Sequence, residues 1–263
     1  RGRVARYSPL ASLGFAQWPD SISHKIHRSA ERKFIDSMGK ALFITGTGTD
    51  IGKTYVTGLI VKKLVDAGLR AGYYKAALSG AEVAADGTLL PGDALHVAHA
   101  AGLAPEDATV SYIYRDAVSP HLAAQIESRP MDFDKVEQDY HAAKERTDYL
   151  TVEGSGGIIC PLRWDDTEHV ILDDLVLRLG LSALVVADAG LGTINAAVLT
   201  AEHLKMRGIP LKGFIFNNWT GGTMQEDNVT MVEALTGARV LACVEHDAAE
   251  LPMAADALAV LYQ

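Results

Sequence analysis

Cysteine is nearly absent from this chain: Cys160 and Cys243 stand far apart and in no C-x-x-C pairing. A disulfide framework and a zinc knuckle are therefore excluded as organising devices, and two buried thiols in a reducing, cytoplasmic setting are expected. Long hydrophobic runs are missing too, none approaching the ~18 residues of a spanning helix. Basic charge is scarce: the formal net charge is −9, which argues against nucleic acid or anionic lipid as the main partner and favours a small-molecule ligand. A nucleophile elbow is also lacking, because Gly154-Ser155-Gly156-Gly157 does not form a strand-to-helix G-x-S-x-G.

The charge is unevenly spread along the chain. Residues 1–37 carry seven Arg or Lys against three Asp or Glu, six serines and no apolar periodicity, and they stop just before Met38-Gly39-Lys40. This stretch reads as a separable extension of a tag, read-through or targeting-peptide kind. Residues 38–263 read as one domain, long enough to bury a sizeable core.

The rest is organised around residues 40–54, KALFITGTGTDIGKT. A short apolar strand breaks into glycines, and Lys53 and Thr54 open a helix whose free amides point back into the loop. Such a nest of N–H groups holds phosphate. In sites of this type the lysine reaches the β- and γ-phosphates and the hydroxyl binds Mg²⁺. Thr47 stands where G-x-x-x-x-G-K-[ST] requires its first glycine, so the loop is a stretched variant.

Downstream, strands expected at 71–75, 149–153, 183–188, 213–216 and 239–244 alternate with helices expected at 53–67, 134–146, 195–207 and 225–235. Residues 76–92 read as a loop before a helix capped by Asp93. Continuous apolar strands alternating with helices predict a P-loop NTPase-type α/β fold, a parallel sheet covered by helices on both faces. Ligands bind at the carboxyl ends of such strands, where Lys75, Glu153, Asp188 and Asn217 are expected to border one crevice. A carboxylate ending an apolar strand, as Glu153 does, is costly unless a cation or donors meet it.

In order, GTGTDIGKT at 46–54, YYKAALSG at 73–80, PGDALHVA at 91–98, SPH at 119–121, VEGSGG at 152–157 with Pro161-Leu162, GLGTIN at 190–195 and FNN at 216–218 resemble dethiobiotin synthetase. The resemblance covers about residues 40–235. It implies a homodimer whose active sites are shared across the interface, ATP as co-substrate, Mg²⁺, and a diamine acid that combines with CO₂ to close a ureido ring. Position by position, it implies nucleotide contacts at Gly48, Thr49, Asp50, Ile51, Gly52, Lys53, Thr54, Tyr55, Asp93, Glu153, Gly154, Ser155, Gly156, Asn217 and Asn218. Thr54, Asp93 and Glu153 match its metal ligands, and Lys75 with Lys53 matches its catalytic pair. Thr49, Lys75, Ser79, Gly192, Thr193 and Asn195 match substrate-binding positions, and Asn217 matches the adenine reader. No proton-transfer role falls to His96, His99 or His121.

One departure stands near the carboxyl end. Ala242-Cys243-Val244-Glu245-His246 replaces the family's Pro-containing turn, which leaves base selectivity open while ATP stays the expectation. The competing class is a regulatory ATPase of the MinD and ParA kind. Its signature lysine would fall at position 48, which is Gly48 here. A cobyrinate-type amide synthetase would need a further, cysteine-bearing glutaminase region.

Overall fold

The computed structural model describes residues 39–263; the expected extension at 1–37 lies outside the described residues. In chain order the elements are β1 (Lys40–Gly46), α1 (Lys53–Asp66), β2 (Ala71–Leu78), β3 (Glu82–Val83), β4 (Leu89–Leu90), α2 (Gly92–Ala101), β5 (Ala108–Ile113), α3 (Pro120–Ile126) and α4 (Phe133–Arg146). They continue as β6 (Tyr149–Glu153), β7 (Pro161–Trp164), β8 (His169–Ile171), α5 (Leu172–Arg178), β9 (Ala183–Asp188), α6 (Thr193–Arg207), β10 (Leu211–Trp219), α7 (Thr223–Thr236), β11 (Val240–Glu245) and α8 (Ala255–Ala259).

Seven strands form one sheet in the order β11-β10-β9-β1-β6-β2-β5, every pairing parallel. Helical crossovers impose this, because a parallel neighbour cannot be reached by a tight turn. The single domain is the expected α/β fold.

Both faces of the sheet are covered, and β1 shows how. Ala41 and Phe43 pack into one core with Tyr74, Tyr140, Leu150 and Phe214. Leu42 and Ile44 point the other way, into a second core with Val56, Ile60, Leu64, Tyr73, Val97 and Ile215. Successive side chains leave a strand on opposite faces, so a strand with two dry faces has to be apolar throughout. That is why period-2 alternation was missing from the sequence.

The register then builds the site. β6 lies between β1 and β2, with Glu153 opposite Ile44 on one side and Lys75 on the other. Tyr73 and Lys75 share the face that carries α1 and α2.

Three expectations are corrected. Strand β2 runs to Leu78, so Lys75 sits inside it and not at its end; the ladder to β5 continues through Ala77 and Leu78 and extends the strand. The edge strand β5 and the hairpins β3–β4 and β7–β8 were not foreseen, since their short, mixed segments carry no periodicity. Asp93 is not a helix cap: α2 begins at Gly92 with Pro91 preceding it and no side-chain cap, because the carboxylate is committed to Lys75.

At the start of β10 the register slips between Leu211 and Gly213. Gly213 holds a φ of 146°, and a Cβ there would lie 2.8 Å from the Arg239 carbonyl oxygen. Gly213→Ala is therefore expected to destabilise the fold by about 2 kcal/mol. In thermal denaturation that is a drop of roughly 4–8 °C; an unchanged midpoint would show that the bulge relaxes freely.

Candidate active site

Between β1 and α1 the chain turns through Thr47–Gly52, and the helix opens at Lys53 with no side-chain cap and no acidic residue in its first turn. Its leading amides are left for an anion, the arrangement of a phosphate loop. Gly52 makes the turn at a φ of 86°. A Cβ there would lie 2.1 Å from Asn217 Nδ2, so the loop has no room for a side chain. Asn217 is buried inside β10, which runs on to Trp219 past the expected end at 216; it donates from Nδ2 to the Ile51 carbonyl at 3.0 Å and props the loop from beneath.

The loop opens onto a cleft of about 300 Å³ lined by Thr49, Asp50, Gly52, Lys53, Thr54, Tyr55, Lys75, Leu78, Ser79, Asp93, Glu153, Ser155 and Gly156. Most of the residues named from sequence thus come together. Gly48 and Ile51 belong to the loop backbone, Lys53 Nζ donating to the Gly48 carbonyl at 3.0 Å. The Gly154-Ser155-Gly156 turn is tied to β2 by Ser155 Oγ, which donates to the Ala77 carbonyl at 2.6 Å. Tyr55 Oη donates to the Ala248 carbonyl at 2.6 Å and links the helix start to the segment after β11.

A charged knot lies at the floor. Lys75 Nζ donates to Asp93 Oδ2 at 2.5 Å and to Glu153 Oε1 at 2.8 Å. Thr54 Oγ1 also donates to Glu153 Oε1, at 2.8 Å, and Tyr73 Oη donates to Oε2 at 3.2 Å. Glu153 is only 2% exposed and Lys75 5%. Burial pulls the Lys75 ammonium down, but the charges of Glu153 and Asp93 and their hydrogen bonds outweigh it, and the net shift is upward. Lys53 is held below its usual value by burial and then by the Lys75 charge. Lys75 is thus a fixed positive charge and not a base at neutral pH.

The two carboxylates meet at the Lys75 ammonium, and the Thr54 hydroxyl joins them through Glu153 Oε1. Among the described residues no three His, Cys, Asp or Glu side chains gather as a metal-ion site. The hard oxygen set Thr54, Asp93 and Glu153 fits a cation of the Mg²⁺ type.

Other sequence-named residues lie outside the cleft lining. Asn218 Nδ2 donates to Asp188 Oδ2 at 2.6 Å, while Asp188 Oδ1 accepts from the Gly190 amide at 2.7 Å. The expected crevice therefore holds Lys75 and Glu153, whereas Asp188 and Asn217 act as struts beside it. Gly192 and Asn195 are exposed at the uncapped start of α6, and Thr193 Oγ1 is buried there without a partner. His96, His99 and His121 do not line the cleft. Sequence reasoning missed Tyr73 and Leu78; the signal for Tyr73 was its place two residues before Lys75, on the same strand face.

A family model described as an AAA domain matches residues 40–250. The ATP-dependent dethiobiotin synthetase BioD of Brachyspira hyodysenteriae is 47% identical over 209 residues, 79% of this chain and 92% of that protein. The chain belongs to the dethiobiotin synthetase family. The Clostridium botulinum (strain Loch Maree / Type A3) ATP-dependent dethiobiotin synthetase BioD is 51% identical over 184 residues, 69% of this chain and 80% of the relative. Membership makes the chain an enzyme of the ligase class. Among solved structures, a ParA family ATPase from Chlorobium tepidum is similar at a TM-score of 0.51 and 13% identity, over 80% of this chain and 85% of that one. A chain of the MinC:MinD cell division protein complex of Aquifex aeolicus gives 0.50 and 14%, over 80% and 82%. These likenesses carry the fold alone; the synthetases carry the family.

Gly52→Ala is expected to weaken nucleotide binding at least about tenfold. An alanine relieves the φ strain of roughly 1–2 kcal/mol and the overlap with Asn217 Nδ2 by moving the free loop out of this conformation. Restoring the conformation on binding costs that strain again, and about 1.4 kcal/mol is tenfold in affinity. Calorimetric titration with ADP measures it, and wild-type affinity would mean that this loop does not grip phosphate.

Proposed function

We propose that the chain is a dethiobiotin synthetase that uses ATP, Mg²⁺ and CO₂ to close the ureido ring of a 7,8-diamino acid, and that residues 38–263 carry this activity. The observation that carries the reading is the meeting of Lys53, Thr54, Lys75, Asp93 and Glu153 in one cleft, in a chain close to half identical to named synthetases.

One substrate amine adds to CO₂ and loses a proton, giving a carbamate. A carbamate oxygen then takes the γ-phosphoryl group of ATP, releasing ADP and leaving a carbamic–phosphoric anhydride. The second amine attacks its carbonyl carbon and expels phosphate. In this sequence the phosphate loop and Lys53 hold the triphosphate, and Lys75 meets the negative charge gathering on the carbamate and the transferring group. Thr54, Asp93 and Glu153 would hold Mg²⁺, which supplies charge neutralisation of the phosphates. Thr49 and Ser79 line the same cleft and orient the diamine. No side chain attacks the substrate, so the rate comes from placement and fixed charge.

The adenine-reading role of Asn217 belongs to this proposal, with Asn218 beside it. Asn217 Oδ1 is left without a partner while Nδ2 is engaged, which suits a base that offers a donor, as adenine does through its amino group.

Homodimerisation with shared sites is the remaining part. Gly192, Thr193 and Asn195 are absent from the chain's own cleft lining. Yet α6 starts there uncapped, with no acidic first turn and an unpartnered Thr193 hydroxyl, features that suit a carboxylate. The terminal carboxylate of the diamine acid, bound in the cleft of a second copy, fills that role.

Incubating the protein with diaminononanoate, bicarbonate, Mg²⁺ and ATP is expected to give ADP only when the diamine is present. Hydrolysis that ignores the diamine would point to a regulatory ATPase of the ParA and MinD kind. Lys75→Gln is expected to abolish turnover while nucleotide binding stays within a few-fold; turnover near wild type would remove Lys75 from the transition state.

Mixed dimers test the shared site. Lys75→Ala and Asn195→Asp chains, each nearly inactive alone, are expected to regain activity on mixing, since a hybrid then holds one undamaged site. No recovery would place each site within one subunit.

A further inference from the structure

Tyr73 has a hydroxyl that packing does not require. The residue has no exposed surface and lies among Leu42, Ile44, Val56 and Val97, where a phenylalanine would fill the same space. A buried phenol is tolerated when its O–H finds a partner. Here the partner is Glu153 Oε2, at 3.2 Å.

That contact divides the labour of the Glu153 carboxylate. Oε1 faces the reactive side, where Thr54 and Lys75 both donate to it at 2.8 Å. Oε2 is held from the core side by Tyr73. The terminal torsion of a glutamate is broad and roughly two-fold, so a carboxylate held at one oxygen alone can rotate. Held at both, it presents one oxygen in one direction. The strand register supplies the geometry: Tyr73 pairs with Thr151 as Lys75 pairs with Glu153, so the phenol and the ammonium leave β2 on the same face and reach the carboxylate from two sides.

We propose that Tyr73 is a positioning residue for the metal site, fixing the rotation of Glu153 so that Oε1 is aimed at the cation beside the phosphate loop. The inference rests on the reading of Glu153 as a Mg²⁺ ligand given above. Hydrogen-bond partners behind a metal ligand are typically worth 10–100-fold in metal affinity or activity.

Tyr73→Phe in the full chain removes a single oxygen. Calorimetric titration with ADP, in Mg²⁺ and separately in EDTA, is the measurement, with Mn²⁺ binding followed by electron paramagnetic resonance as a readout of the metal itself. The expected result is nucleotide binding weakened about tenfold in Mg²⁺ and Mn²⁺ affinity lowered to match. Binding in EDTA stays within twofold of wild type. A merely structural hydroxyl would move both titrations together or neither, and either outcome overturns the proposal.

Glu153→Gln, run in parallel, separates the two levels. If it loses the Mg²⁺-dependent part of binding and Tyr73→Phe does not, the positioning role falls and the ligand reading stands. If Glu153→Gln leaves that part intact, both fall. Should Tyr73→Phe not be recovered folded, Tyr73→Met fills the space with a flexible apolar chain and is expected to show the same split.

Discussion

A single carboxylate sets the terms for this site. Glu153 ends the strand beside β1, almost without solvent, where an unpaired charge would cost several kcal/mol. Three donors answer it from two elements: Thr54 from α1, Tyr73 and Lys75 from β2. Asp93 then completes the neutralisation of Lys75 from α2. The phosphate helix, the second strand and the following helix are thus fastened to one another through charge as well as through the apolar core between them. Removing one member would leave the others buried and uncompensated, which costs more than the pair contributes when intact.

Much of this was legible in the sequence, for physical reasons that can be named. Glycine spacing followed by Lys53-Thr54 marks a phosphate loop because the turn needs a positive φ at Gly52 with no side chain beside it. Apolar runs such as 183–188 mark central strands because both faces are dry, and that strand is found with the expected bounds. Glu153 stood out because a carboxylate does not end an apolar strand without a partner.

What stayed hidden depended on contacts between distant segments. Asp93 resembled a cap because capping is local, but a lysine from another strand claimed it. Asn217 and Asp188 resembled cleft residues because each follows an apolar run; the structure places Asn217 inside β10 and turns both side chains to backbone and neighbouring loops. Short edge elements such as β5 owe their existence to the ladder they join. The phenol of Tyr73 had no signal beyond its spacing from Lys75.

Fold and chemistry part company in this protein. The fold is shared with a ParA family ATPase and with a chain of a MinC:MinD complex at 13–14% identity, and one scaffold of this kind hosts many reactions. The lysine inside β2 and the carboxylates bonded to it are what the proposed function reads as the catalytic centre on that frame.

The contact between Gly52 and Asn217 has a consequence for how the chain can change over generations. Position 52 is closed twice, once by its backbone angle and once by the amide that occupies the space of a Cβ. A smaller residue at 217 opens the space but not the angle, so it does not release position 52. The dependence does not run both ways. Position 217 is constrained by the Ile51 carbonyl that it satisfies, and a donor of similar length can take that place with Gly52 untouched. Position 52 is therefore expected to remain glycine throughout, while 217 is held by the adenine contact of the proposed function.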